Sequence, residues 1–276
     1  MEVSLPVTLA VLGAALLHAS WNVLVKSGAD KELETVNIAI GSGLVALVVA
    51  LFLPAPARES WPWVAGSAAV HILYFVFLAG AYRWGDLSYT YPVMRGGGPM
   101  IVALVGALVL GEVLPLHATI GVLCICAGVL GFASGKHDRR ATAFALGNAV
   151  VIAAYTLVDG KGVRLSEAPA SYTLWFFVAN GVVIAIYGWL RRGRAVNAHF
   201  AATWRRALVG GSCAVAAYGI ALWAMTRAPI AIVAVLRETS VIFGAAIAAV
   251  VLKEKFTRRR LAATGAVMVG LVALKF

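Results

Sequence analysis

Apolar stretches of membrane-spanning length, separated by short polar loops, fill almost the whole chain. A helix needs roughly 20 residues to cross ~30 Å of hydrocarbon. The chain is 62% hydrophobic and 13% charged, whereas soluble domains carry about 25% charged residues. The sequence therefore predicts an all-α membrane protein with ten transmembrane helices, at about 5–25, 34–53, 63–82, 87–110, 116–134, 141–158, 171–190, 207–225, 230–252 and 261–274.

The two halves of the chain repeat each other. Arg95 and Arg237 lie 142 residues apart, near the starts of the fourth and ninth spans, and Tyr74 and Tyr218 lie 144 apart in the third and eighth. Five spans is an odd number, so a second repeat of five must enter the membrane from the opposite face. This indicates an inverted repeat, which is typical of secondary transporters. The predicted repeats are 5–134 and 141–275.

The net charge of +11 does not indicate nucleic-acid binding, because the basic residues lie in short loops between apolar spans. Loops with odd numbers, counted from the N-terminus, hold 16 of the 23 lysines and arginines, and the opposite side holds five. The positive-inside rule then predicts cytoplasmic odd loops and both termini outside.

Arg95, Arg237 and Glu238 are the leading candidates for substrate binding. A guanidinium within a span is costly in lipid and is expected to face protein or a water-filled cavity. Its planar fork suits a carboxylate or phosphonate. Two arginines and one deep carboxylate leave one excess positive charge, which predicts an anionic or zwitterionic substrate. The alternative that the arginines only tie helices together stays open, as does a proton-carrying role for Glu238.

Five polar or aromatic residues complete the predicted substrate site. His18 and Asn22 are four residues apart and share a helix face, beside Trp21. Tyr74 and Tyr218 are paired by the repeat. For each of these residues, helix packing or anchoring at the membrane edge is the competing interpretation.

Several other polar positions have structural explanations. Glu112 and Glu254 end the fourth and ninth spans, and each is expected to be a solvated cap or a partner of basic loop residues. Asp159 and Lys161 end the sixth span and receive the same interpretation. The run Gly96–Gly98 indicates a helix break or a close helix crossing. No catalytic residue, metal ligand or cofactor site is predicted.

The chain resembles the EamA-type ten-helix members of the drug/metabolite transporter superfamily, and more weakly the branch associated with phosphonate utilisation. The resemblance rests on HASWN (18–22) with Lys26, PVMRGGGP (92–99), LGE (110–112), AYTLVDGKG (154–162) and LRETSVIFGAAIAAVVLKE (236–254). It implies a multi-pass carrier of small organic solutes in the cell (inner) membrane, with a central cavity. It also implies cytoplasmic termini, against the charge bias.

The leading hypothesis is a secondary carrier that works by alternating access and moves a small organic solute. A lipid bilayer surrounds it, nucleic acid is not a partner, and a homodimer is a candidate assembly. The competing hypotheses are an intramembrane enzyme and a non-transporting scaffold or sensor. The enzyme lacks support, because the spans hold no metal-ligand spacing, GxSxG motif or paired aspartates.

Overall fold

The computed structural model describes residues 3–134, 138–251 and 258–274, and the regular structure within them is helical. Most helices lie close to the predicted spans, although several extend further at one end. The helices are α1 (Leu5–Ser27), α2 (Lys31–Ala50), α3 (Trp61–Trp84), α4 (Leu87–Val109), α5 (Leu116–Gly131), α6 (Arg139–Leu165), α7 (Pro169–Arg192), α8 (Arg194–Met225), α9 (Ile230–Arg237), α10 (Ser240–Val251) and α11 (Arg258–Ala273).

Seven helices among the described residues are long and apolar enough to cross a membrane, where the sequence predicts ten spans. α5 and the apolar part of α11 are helical but shorter. The predicted span at 230–252 is interrupted, because α9 ends at Arg237 and α10 begins at Ser240. Glu238 and Thr239 form the turn between these two short helices. A single continuous ninth helix was therefore a wrong prediction.

Large apolar side chains cover the outside of the bundle. Phe52, Leu108, Leu116 and Leu190 are each more than 70% exposed. Side chains of this kind are unfavourable in water and favourable in hydrocarbon. The polar groups of the spans, by contrast, are turned inward, and Asn148, Asp159 and Glu238 are among those that are buried.

The glycine run of α4 is a close helix crossing and not a break. α4 is one helix from Leu87 to Val109, with Pro92 and Pro99 inside it. A Cβ on Gly96 would collide with Leu130 of α5, and a Cβ on Gly98 would collide with Ile152 of α6. Because these positions lack side chains, α4 packs closely between α5 and α6 and carries Arg95 into the interior.

The even-numbered loops lie at one end of the bundle and the odd-numbered loops at the other. The backbone N–H of Ala57, in the second loop, donates to the carbonyl of Ser166 in the sixth. At the other end, the N–H of Ser134 in the fifth loop donates to the carbonyl of Ser88, beside the third. Arg192, at the seventh loop, pairs there with Asp30 in the first. Successive helices thus run in alternating directions, as spans of a membrane protein do.

Candidate functional site

An ion pair between Arg95 and Glu238 lies in the interior. The Nε atom of Arg95 on α4 is 2.8 Å from Oε2 of Glu238, in the turn between α9 and α10. Arg95 is 7% exposed and Glu238 3% exposed. The Nη2 atom of Arg95 is also buried, and no acceptor among the described residues takes its hydrogen bonds. The pair therefore holds α4 against the interrupted helix and leaves part of one guanidinium available.

Arg237 occupies a different environment. Its Cζ atom lies 4.8 Å from the centroid of the Tyr218 ring on α8. The Tyr218 hydroxyl donates to Oδ2 of Asp159 at 2.5 Å, and the Tyr172 hydroxyl of α7 donates to Oδ1 at 2.9 Å. One aromatic ring thus links the second arginine to a second carboxylate.

Asp159 corrects two predictions made from the sequence. Its expected role was a solvated cap, but α6 continues for six residues beyond it to Leu165 and it is 0% exposed. The centre therefore holds two arginines and two carboxylates, so the predicted excess of one positive charge is wrong when all four are ionised. The sequence obscured this position, because Gly160, Lys161 and Gly162 lower the local hydropathy and imitate a span end.

The other predicted residues have different degrees of contact with this centre. His18 interacts electrostatically with both Arg95 and Arg237, and Tyr74 interacts with Arg95. Trp21 packs edge-on against His18, with ring centroids 5.1 Å apart. The Asn22 amide donates to the His18 carbonyl at 2.7 Å, within its own helix. Its bonded amide hydrogen is therefore directed to the backbone of α1.

An aromatic cluster surrounds the charged groups. The ring of His71 lies 4.3 Å from Tyr155 and 4.9 Å from Phe176, and Phe176 lies 5.5 Å from Tyr218. Sequence reasoning missed His71 and Phe176. For His71 a signal existed, because it precedes the predicted Tyr74 by three residues and so shares its helix face. The cluster gives the centre apolar walls around a few charged groups, as is usual in small-molecule sites.

Glu112 connects the end of α4 to α6 and to the start of α9 at one end of the bundle. Its carboxylate accepts from Arg164 Nη1 at 2.6 Å and from the Ile230 backbone N–H at 2.8 Å. Arg164 also donates to the carbonyls of Met225 and Ala228. Of the two expectations for Glu112, the contact with basic residues is confirmed. Its repeat partner Glu254 lies outside the described residues.

A cavity of about 420 Å³ adjoins this contact at the same end, lined in part by Glu112, Arg164 and Arg227. Among the parts of the chain that the structure describes, no group of three His, Cys, Asp or Glu side chains could hold a metal ion. The ionisable side chains that the structure brings together at the centre are arginines, carboxylates, phenols and imidazoles, which can bind an ionic solute.

Residues 139–276 match the EamA-like transporter family. The chain belongs to that family. It is 32% identical over 88 residues to the multidrug resistance protein EbrB of Bacillus subtilis (strain 168), across 31% of this chain and 74% of that protein. It is 33% identical over 82 residues to EbrB of Bacillus atrophaeus, across 30% and 69%. These matches do not test the resemblance to the phosphonate-utilisation branch, which stays a prediction.

The fold has a counterpart among solved structures. A crystal structure superposes on this chain with a TM-score of 0.73, covers 97% of each chain and is 18% identical. Family membership and the apolar helices together make the protein a multi-pass integral membrane protein. The same matches indicate a transporter of small molecules rather than an enzyme.

Proposed function

We propose that the protein is a secondary carrier that moves a small anionic or zwitterionic organic metabolite by alternating access. The observation that carries the proposal is the state of Arg237. It is half-buried beside Tyr218, and no carboxylate among the described residues lies within ion-pair distance of it. A guanidinium in this position, together with the unpaired Nη2 of Arg95, is suited to a carboxylate or phosphonate of the substrate.

The helix contacts support two inverted repeats of five spans, in which α9 and α10 together count as one. In this scheme α1 corresponds to α6, α3 to α8, and α4 to α9 with α10. α1 contacts α8, α9 and α10, and α6 contacts α3 and α4. α2 contacts α7, and α5 contacts α11, as the pseudo-two-fold relation requires. The proposed site contains groups from both repeats, since Arg95 comes from the first and Arg237 from the second.

Ion pairs at both ends of the bundle support alternating access. Glu112 and Arg164 join helices at one end, while Arg192 with Asp30 and Glu32 joins α7 to the start of α2 at the other. A carrier must open one end while the other is closed, and partly exposed ion pairs can exchange their partners for water at little cost. In the proposed cycle the two sets of pairs break in turn.

The test is a ligand-stabilisation screen of the purified protein. The probes are benzoate and methylphosphonate as anions, glycine betaine as a zwitterion and choline as a cation. A ligand at 100 times its Kd stabilises the folded state by about 2.7 kcal/mol. We expect upward shifts of the melting temperature with an anion or the zwitterion and none with choline. A shift with choline alone would overturn the substrate class.

A matched pair of variants assigns the effect to Arg237. Arg237→Gln removes a charge-assisted hydrogen bond worth about 1.5–3 kcal/mol, so we expect binding to weaken about 10- to 150-fold. Arg140→Gln is the control, because Arg140 also stacks on an aromatic ring, 4.6 Å from the Trp84 centroid, but is exposed at the end of the bundle. Equal binding by both variants and the wild type would remove Arg237 from the site.

The second candidate function is the export of aromatic drugs. It is favoured by the likeness to two multidrug resistance proteins and by the aromatic cluster around His71. The same screen separates the two candidates when an aromatic cation such as ethidium is added. Stabilisation by ethidium but by none of the anions would favour drug export.

A further inference from the structure

Asp159 is a buried ionisable group that has no role in the proposed binding of an anion by the arginines. It is 0% exposed and accepts from two neutral hydroxyls, those of Tyr172 and Tyr218. Among the described residues, no lysine or arginine lies within ion-pair distance of it. This distinguishes it from Glu238, whose charge is compensated directly by Arg95 at 2.8 Å.

The protonation of Asp159 sets the net charge of the centre. Arg95 and Glu238 cancel each other, so Arg237 and Asp159 determine the remainder. With Asp159 ionised the four groups sum to zero, and with Asp159 protonated they sum to +1. A singly charged anion placed on Arg237 would then leave a neutral centre only in the protonated case. In a low-dielectric interior, such a difference of one charge is worth far more than in water.

The hydrogen bonds of Asp159 allow both states. An ionised carboxylate accepts from both tyrosine hydroxyls, as the structure shows. A protonated carboxyl can donate its O–H to one hydroxyl oxygen while its other oxygen still accepts. Proton uptake therefore needs a rotation of hydroxyl groups and no repacking of helices.

We propose that Asp159 is the proton-binding site of the carrier and that a proton on Asp159 and a singly charged organic anion on Arg237 bind together. The inference rests on the proposed function, since it requires an anion at Arg237. The geometry connects the two sites through one side chain, because Tyr218 donates to Asp159 and supports the Arg237 guanidinium on its ring face. Coupled binding of this kind would make transport an anion–proton symport.

The other ionisable groups that interact with Asp159 are Tyr155 on α6, Tyr172 on α7, Tyr218 on α8 and Arg237 on α9. His71 on α3, Arg95 on α4 and Glu238 after α9 interact in turn with Arg237 or Tyr155. Arginine and tyrosine do not ordinarily titrate between pH 5.5 and 8.5. His71, and His18 near the arginines, belong to a residue type that does. A variant that changes only Asp159 retains both histidines and separates their contribution.

The first experiment measures benzoate binding by calorimetry on the purified full chain between pH 5.5 and 8.5. For one linked proton, the affinity of the wild type falls about tenfold per pH unit above the titration midpoint, and one proton is taken up per benzoate. Asp159→Asn mimics the protonated state, so we expect binding without this pH dependence and without proton uptake. Unchanged pH dependence in Asp159→Asn would overturn the inference.

The outcomes also separate this inference from the proposed function. Absence of benzoate and methylphosphonate binding by the wild type at every pH would overturn the anion carrier itself. A second outcome is that benzoate no longer binds to Arg237→Gln but binds to Asp159→Asn with the same proton uptake as in the wild type. The proposed carrier function would then stand, and Asp159 would not be its proton-binding site.

A second measurement does not depend on the variant folding. The sequence holds four aspartates, and the other three, Asp30, Asp86 and Asp138, are the N-cap residues of α2, α4 and α6. Infrared difference spectra of wild-type protein labelled with ¹³C-carboxyl aspartate should show a protonated-carboxyl band that grows when benzoate is added at fixed pH. No such band at any pH between 5.5 and 8.5 would refute the proposal.

Discussion

Arginine–carboxylate pairs occur both in the centre and at the edge of this bundle, and their surroundings differ sharply. The side chains of Arg95 and Glu238 are 9% and 4% exposed, whereas those of Arg192 and Asp30 are both 34% exposed. The pair in the centre has given up its hydration, which is costly. The pair at the edge keeps much of it, and such pairs contribute about 0–1 kcal/mol. The same type of ion pair therefore positions helices and fixes the charges in the centre, whereas at the edge it forms only a weak, reversible contact.

The contact between Arg164 and Glu112 lies between these extremes. The side chain of Arg164 is 33% exposed and that of Glu112 14% exposed. It also holds backbone groups of elements other than its own, because Arg164 donates to the carbonyls of Met225 and Ala228 and Glu112 accepts from the first N–H of α9. If depth controls energy, single substitutions in the three pairs should give effects that decrease from centre to edge.

The largest effect is expected for Glu238→Gln. This change leaves the Arg95 charge buried without a counter-ion, which typically costs about 3–5 kcal/mol. We expect a large loss of stability, measured as a fall in the denaturant midpoint or melting temperature of the purified protein.

The control is the double variant Arg95→Met/Glu238→Gln, in which neither buried charge remains. If depth is the cause, the double variant should recover much of the stability lost in the single variant, although it should bind the anion more weakly, because the Nη2 group of Arg95 is gone. A single variant as stable as the wild type would show that water reaches this pair.

Glu112→Gln should have an intermediate effect. The amide oxygen can still accept from Arg164 or Ile230, so the change removes charge but keeps part of the geometry. We expect a loss of about 1 kcal/mol, read from thermal unfolding. We also expect faster reaction of a cysteine placed at Thr226, on the cavity beside this contact, with a water-soluble thiol reagent.

Thr226→Cys alone is the reference for that reaction, after the three native cysteines are replaced by alanine. Equal labelling rates with and without the Glu112→Gln change would mean that the contact does not close this end of the bundle.

The sequence was informative where a residue type conflicted with its surroundings. Arg95 and Arg237 lie in apolar spans, and a charge there must find protein partners, so both were predicted to face the interior. The interruption after Arg237 was missed, because Glu238 and Thr239 are both compatible with a helix. In the folded chain the turn is held by the ion pair between Glu238 and Arg95. A turn held by a partner so distant in the sequence has no local signal.

The burial of Asp159 was missed for a related reason. A hydropathy pattern detects contact with lipid, but the last turns of α6 are covered by protein, where polar residues are tolerated once they are hydrogen-bonded. The partners Tyr172 and Tyr218 lie on α7 and α8. Neither spacing nor composition relates those tyrosines to Asp159, so the second carboxylate of the centre became visible only in the folded chain.

At the edge, Asp30 has two separate roles. Its carboxylate caps α2 by accepting from the N–H groups of Glu32 and Leu33 at 3.1 Å, and it pairs with Arg192. The hydrogen bond from Leu33 is the main cause that lowers the pKa of Asp30 below its ordinary value, with Arg192 acting in the same direction and partial burial opposing them.

The smallest effect is therefore expected for Asp30→Asn. Asparagine caps a helix as well as aspartate does, so only the exposed ion pair is lost, and the melting temperature should fall by less than about 2 °C at pH 7. Because the folded-state pKa of Asp30 is lowered, its ionised form stabilises the fold above about pH 4, the unfolded value. That contribution is lost as the pH falls through the folded value. Melting curves of both proteins at pH 7, 4 and 3 should converge on acidification, and a difference that widens toward pH 3, or that equals the Glu112→Gln effect at pH 7, would contradict the ordering by depth.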